Sequence, residues 1–133
     1  MNGPLATPGL TGMADAVLSE IASLATQHGE TGGSAAIELT AMPLTRLDRE
    51  EIEARLGRGE VEATIESAGR SEVWETAYAG VWFVRHLGVD GRAASETIEI
   101  CAAPAILFSC PDDRRAAAAR LGEDLRAKAA PVL

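Results

Sequence analysis

Between Glu60 and Glu66 the chain changes character at every residue, with Val61, Ala63 and Ile65 set against Glu60, Glu62, Thr64 and Glu66. A strand with one face on a core and the other in water satisfies such a pattern, because successive side chains point to opposite sides of a sheet. Three more extended stretches follow, each set off by turn residues. Gly69 and Arg70, after Ser67 and Ala68, lead into Ser71 to Tyr78, and Gly80 turns the chain into Val81 to Leu87. A loop from Gly88 to Ala94 precedes a last strand in which Ile98 and Ile100 alternate with Thr97, Glu99 and Cys101. Short connections of this kind join antiparallel neighbours, so the middle of the chain reads as a β-meander.

The flanks read as helices around one further strand. Met13, Val17, Ile21 and Leu24 line one side of a helix over Met13 to Gln27, with His28 and Gly29 at its last turn and stop. After a Gly-rich turn from Glu30 to Ser34, Ala35 to Met42 fits a strand that Pro43 ends. A second helix is expected from Asp48 as N-cap, with Glu51 completing a capping box and Leu47 and Ile52 as a hydrophobic staple; Leu56 continues its apolar side, and Gly57 and Gly59 stop it. Pro104 breaks the final strand, Ala105 to Phe108 is an apolar connector, and Pro111 opens a helix over Asp112 to Ala130 with Leu121 and Leu125 on its buried side. The expected class is α+β, a mainly antiparallel sheet of about five strands with three helices packed on it. Residues 1–12, with Pro4, Pro8, Gly3, Gly9 and Gly12, read as a flexible arm, and residues 13–133 as a single domain.

The balance of 20 Asp and Glu against 12 Lys and Arg, a net charge of -8, repels phosphate backbones and anionic headgroups, which argues against nucleic acid and membrane as partners. No run approaches the roughly 20 apolar residues of a membrane span, and the first twelve residues lack the basic start and apolar core of an export signal, so the cytoplasm is the expected location. Two cysteines, Cys101 and Cys110, do not make a disulfide framework, and free thiols are expected.

Three segments stand in order between Gly57 and Leu107: Gly59-Glu60-Val61, the run Glu75-Thr76-Ala77-Tyr78-Ala79-Gly80-Val81-Trp82, and Glu96-Thr97-Ile98-Glu99-Ile100 followed by Pro104. In that order and spacing they resemble the C-terminal conserved region of the HupH/HyaF hydrogenase expression proteins, and the segment from Ala36 to Gly57 fits as well. Tyr78 and Ala79 stand where the family pattern has Phe and Pro. Full-length members are longer and carry sequence before this region, so the chain is similar to a stand-alone short version. The resemblance implies an accessory, chaperone-like protein in the maturation of [NiFe] uptake hydrogenase that binds an immature subunit, the iron–sulfur small subunit foremost, or other maturation proteins. It implies neither a catalytic reaction nor a cofactor. A homodimer is left open.

The densest group of unusual side chains is Trp74, Glu75, Thr76, Tyr78, Trp82 and Arg85, joined by His86, on two adjacent strands. Placed together on one face, the aromatic residues would offer a partner-binding surface of large rings with polar tips. Trp74 and Trp82 would equally serve as filling in an Ala-rich core, and Glu75 would equally serve as the ion-pair partner of Arg85 on the next strand. Cys101, Cys110, His28 and His86 lack the spacing of a metal site. No GxSxG elbow, base beside a serine or Gly-rich phosphate loop is present, and Glu60, Glu62 and Glu66 read as a solvated face. A small redox-linked or metal-handling protein using Cys101 and Cys110 is the alternative from a different class.

Overall fold

The computed structural model describes residues 9–66 and 68–129. The contacts divide it into two compact units, one ending at Ala103 and one starting at Pro104. The first holds helix α1 (Met13–Thr31), strand β1 (Ala35–Glu38), a 3-10 turn (Leu39–Ala41), helix α2 (Arg46–Leu56) and strands β2 (Glu62–Glu66), β3 (Arg70–Glu75), β4 (Val81–Leu87) and β5 (Ala93–Ile100). The second holds a 3-10 turn (Ala105–Leu107) and helix α3 (Pro111–Ala129). The five strands form one sheet in the order β1-β5-β4-β3-β2, and every neighbouring pair is antiparallel. The expected α+β class and the meander from β2 to β5 are both present.

Directly opposed residues share a face of an antiparallel sheet, so the register decides what is inside. Trp74 lies opposite Phe83, and Phe83 opposite Ile98, which in turn opposes Ile37. This row, with Val81 and Ile100, packs beneath Ala14, Val17 and Ile21 of α1 and Ile52 and Leu56 of α2 to make the main core. Trp74 and Phe83 stack with ring centroids 4.6 Å apart and planes 5° from parallel. The opposite face carries Val73, Trp82 and Val84, which are also buried.

Three element ends differ from those expected. Helix α1 passes through Gly29 and stops at Gly32, whose φ of 77° is left-handed and whose N–H bonds to the His28 carbonyl. The strand starting at Ala35 ends at Glu38, because a 3-10 turn carries Leu39 into the core. Helix α2 is capped by Thr45, not Asp48. The Thr45 hydroxyl accepts from the Asp48 N–H at 3.0 Å, and the Asp48 carboxylate accepts from the Thr45 N–H at 3.1 Å, a complete capping box one turn before the one expected. The supposed staple residue Leu47 is exposed.

Asp48 also holds residues of the expected arm. Its two oxygens accept from the Thr11 N–H at 2.9 Å and the Thr11 hydroxyl at 2.8 Å, while the Thr45 hydroxyl donates to the Gly9 carbonyl at 2.9 Å. Gly9 and Thr11 are therefore fastened to the start of α2; residues 1–8 lie outside the described residues. The Thr11 backbone N–H does most to draw the Asp48 carboxyl down from its ordinary 3.8 to about 2, against the opposing effect of burial and with further help from Thr45. A carboxyl lowered by folding stabilises the native state above its unfolded value, and that contribution is lost as pH falls from 3.8 through about 2. Denaturant titrations should show this acid-side loss in the parent and not in Asp48→Asn. Thr45→Ala should cost about 1 kcal/mol at neutral pH; equal stability of parent and variant would refute the cap.

Candidate functional site

The turn between β3 and β4, Thr76 to Gly80, is built to hold one large side chain in solvent. Thr76 is buried, and its hydroxyl both accepts from the Tyr78 N–H at 3.1 Å and donates to the Tyr78 carbonyl at 3.2 Å. The Ala77 N–H bonds to the Leu56 carbonyl at 2.9 Å, which fastens the turn to the end of α2. Gly80 takes φ 83°, where a side chain would be strained, and its N–H donates to the Glu75 carboxylate at 3.3 Å. Tyr78 at the tip is left 58% exposed.

Beside this turn lies an apolar groove of about 280 Å³. Leu18, Ile21, Ala22 and Ala25 of α1 form one wall, Leu56 of α2 and Val81 of β4 close the other, and Tyr78 and Arg55 stand at its edge. Arg55, the one charged residue of the lining, is engaged by Asp15 at 2.6 Å and Glu51 at 3.3 Å.

A second cleft, of about 360 Å³, opens between α2 and the sheet and is charged. Arg85 sits in its wall on the same face as Phe83, opposite Glu72 on β3 and Glu96 on β5. Its Nε donates to Glu96 at 2.8 Å, one Nη donates to Glu53 of α2 at 2.5 Å, and the other lies 3.6 Å from Glu72. Arg49 of α2 adds a second cation 3.2 Å from the buried Glu96. Burial works against the Arg85 charge, but the bonds to Glu96 and then Glu53 outweigh it and raise the guanidinium pKa. Arg58 caps the Trp74 ring at 3.9 Å, with Arg85 5.1 Å from the same ring. Each cation here has an anion within reach, so the network joins α2 to the sheet.

The six residues expected to form one partner-binding face are thus divided. Trp74 and Trp82 are on opposite faces, since Glu75, not Trp74, opposes Trp82, and they are only 2% and 5% exposed. The direct anchoring role expected of the indoles is corrected by this burial. Glu75 does not pair with Arg85, because the register sets Glu72 there instead. Tyr78 alone among the aromatic members reaches solvent, with Thr76 shaping its turn.

Cys101 and Cys110 are free, the first buried and the second exposed. Burial pushes the Cys101 thiol pKa up, helped by the Glu99 charge, which disfavours the reactive thiolate. Among the described residues no three His, Cys, Asp or Glu side chains converge in a metal-holding group, and no helix is long and apolar enough to cross a membrane.

Comparison with known families places these features. The model of the HupH hydrogenase expression protein, C-terminal conserved region, matches residues 12–128. The chain belongs to the HupH family. The solved hydrogenase expression protein HupH from Thiobacillus denitrificans is similar with a TM-score of 0.82 and 37% identity, over 86% of this chain and 96% of that one. The hydrogenase expression/formation protein HoxQ of Azotobacter vinelandii is 29% identical over 80% of this chain and 38% of its own length. The hydrogenase expression/formation protein HupH of Rhizobium leguminosarum is 37% identical over 67% of this chain and 32% of its own length. The chain thus spans about a third of the length of these two curated relatives.

The segments that suggested the HupH family have physical reasons to look as they do. A Cβ on Gly59 would lie 2.6 Å from the Thr76 carbonyl oxygen, and the Gly59 N–H bonds to the Glu75 carbonyl at 2.7 Å, so only glycine allows this crossing. Glu75 to Trp82 is the turn that presents Tyr78. Glu96 to Ile100 supplies the buried anion for Arg85 and two core residues. The groove residues of α1 and the Glu53, Glu72 and Arg49 members of the network escaped the sequence reading. The Leu18, Ala22 and Ala25 spacing was the available signal for the groove wall; the network becomes visible only once the register is known.

Proposed function

We propose that this chain is a non-catalytic accessory protein in [NiFe] uptake hydrogenase maturation, working in the cytoplasm, and that it holds an immature subunit, the iron–sulfur small subunit foremost, through the groove beside Tyr78. The observation that carries the site is the pairing of a rigidly held, exposed aromatic side chain with an adjacent apolar groove. Tyrosine supplies large contact area with few rotors and a polar tip, the character of an interface anchor. Membership of the HupH family and the names of the relatives support the pathway. The buried, poorly ionised thiol of Cys101 supports binding over thiol chemistry.

The test is affinity capture of a purified small-subunit precursor, with its mature form as the comparison. Tyr78→Ala should weaken binding by about tenfold or more while leaving stability within about 0.5 kcal/mol. Ala22→Glu, which puts a charge into the groove wall, should act likewise. Undiminished binding by both folded variants would reject the groove; failure of the parent to bind any hydrogenase subunit would reject the role.

A further inference from the structure

Strand β2 is an edge of the sheet, with β3 as its one neighbouring strand. The ladder with β3 decides which of its backbone groups are left over. The Glu75 N–H donates to the Val61 carbonyl at 2.9 Å, and on the other side of β3 the Thr76 N–H donates to the Val81 carbonyl at 2.9 Å. Odd-numbered residues of β3 therefore bond to β2 and even-numbered ones to β4. Bonding positions alternate along an antiparallel pair, so Ala63 and Ile65, opposite Val73 and Ser71, turn their backbone groups to β3. Glu62, Thr64 and Glu66 turn theirs outward, and among the described residues no protein group bonds to them there.

The side chains along this edge form two rows. Glu62, Thr64 and Glu66 stand exposed on one face, while on the other Val61 is exposed and Ala63 and Ile65 are half-buried. In an added strand, the residues directly opposite Glu62, Thr64 and Glu66 would lie beside the acidic row, and the alternate ones beside the apolar row. The acidic row keeps an excess of charge. Glu62 lies 3.6 Å from Arg58, whose guanidinium is shared with Glu53; Glu66 opposes Arg70, which is 3.7 Å from Glu72, and has no ion pair of its own among the described residues. Antiparallel pairing with β2 of a second copy would set Glu62 against Glu66 at both ends, and like charges directly opposite are destabilising. The edge is closed to its own kind and complementary to a basic strand.

We infer that the β2 edge is a strand-addition site for an extended segment of a partner protein in which Lys or Arg alternates with apolar residues. Backbone bonds to Glu62, Thr64 and Glu66 hold the segment, its cations select it, and its apolar side chains cover Val61, Ala63 and Ile65. The site shares no residue with the groove beside Tyr78 and does not depend on the client assigned to that groove.

A synthetic peptide of alternating Lys and Val, titrated into the full chain, is the probe, with calorimetry and amide hydrogen exchange as readouts. Binding should slow exchange at the Glu62, Thr64 and Glu66 amides and change little at Ala63 and Ile65, which already belong to the ladder. A peptide of the same composition with its lysines and valines in separate blocks should bind more than about tenfold more weakly. Thr64→Pro removes an outward N–H and leaves the β3 ladder intact, the edge position at which a strand tolerates proline; it should weaken binding by a similar factor. Glu62→Lys with Glu66→Lys, both changes at exposed positions, should transfer the preference to a Glu-Val alternating peptide, and this variant carries the test if the proline variant does not fold. Equal binding of the block peptide, which is charge attraction alone, overturns the inference, as does unchanged exchange at the three edge amides. So does loss of peptide binding in Tyr78→Ala, which would place the peptide in the groove, or self-association of the parent that Thr64→Pro abolishes, which would assign the edge to a second copy.

Discussion

Arg85→Met is expected to destabilise the chain by about 3 kcal/mol, near the lower end for breaking a buried ion pair, because two of the three carboxylates it faces keep some contact with water. Its side chain is 18% exposed and meets Glu53, Glu72 and Glu96, which are 30%, 29% and 9% exposed. Removing the guanidinium leaves Glu96 with Arg49 as its one cation among the described residues, and α2 loses the tie from Glu53 to the sheet. Urea titration of the single variant, and of Arg85→Met combined with Glu53→Gln and Glu96→Gln, separates the two sources of that cost. Neutralising the orphaned carboxylates should return a substantial part of it. A loss under about 1 kcal/mol for the single change, the range of a surface pair, would show that the network is solvated and structurally idle.

Phe83→Ala should cost about 4 kcal/mol, the largest effect of any single substitution considered, since it removes a fully buried ring from the centre of the sheet and leaves Trp74 without its stacking partner. The cavity would open beneath Ile52 and Leu56, which belong to the same core, so collapse of α2 onto it is limited by the Arg85 network. Phe83→Leu should lose much less because most of the volume is kept. Denaturant midpoints for the two variants check the ranking; equal losses, or a loss no greater than that of Tyr78→Ala, would contradict the placement of Phe83.

The elements were legible in the sequence wherever one periodicity ruled a whole segment. The alternation from Glu60 to Glu66, the run from Val81 to Leu87 and the four-residue steps of Met13, Val17 and Ile21 each specify an element, because burial on one side is the dominant energy and it repeats with the element's own period. Helix starts were less legible. Both Thr45 to Asp48 and Asp48 to Glu51 have capping-box spacing, and the choice of the first depends on Thr11 and Gly9, distant in sequence, reaching the same two side chains.

Faces were legible within a strand and not between strands. Alternation sorts Trp74 from Glu75 and Trp82 from Phe83, yet which of one pair meets which of the other is fixed by the five-residue turn from Thr76 to Gly80. A shift of one residue exchanges the two faces. That single integer decided that the indoles lie apart and that Glu72 and not Glu75 meets Arg85, while the turn itself leaves Tyr78 in solvent. Helix α3 failed differently. Leu121 and Leu125, read as its buried side, are 61% and 60% exposed, because periodicity marks an apolar face and does not say that anything covers it.

The division of Trp74 and Trp82 between the two sides of the sheet, each indole Nε1 buried without a bonding partner among the described residues, makes the chain a pair of built-in optical gauges. One emitter lies under α1 and α2 and the other on the reverse side, so single Trp→Phe versions resolve the fluorescence into two colour-sensitive channels. Trp82→Phe leaves the emitter that reports on the side packed by α1 and α2, and Trp74→Phe the one that reports on the side of Val73 and Val84.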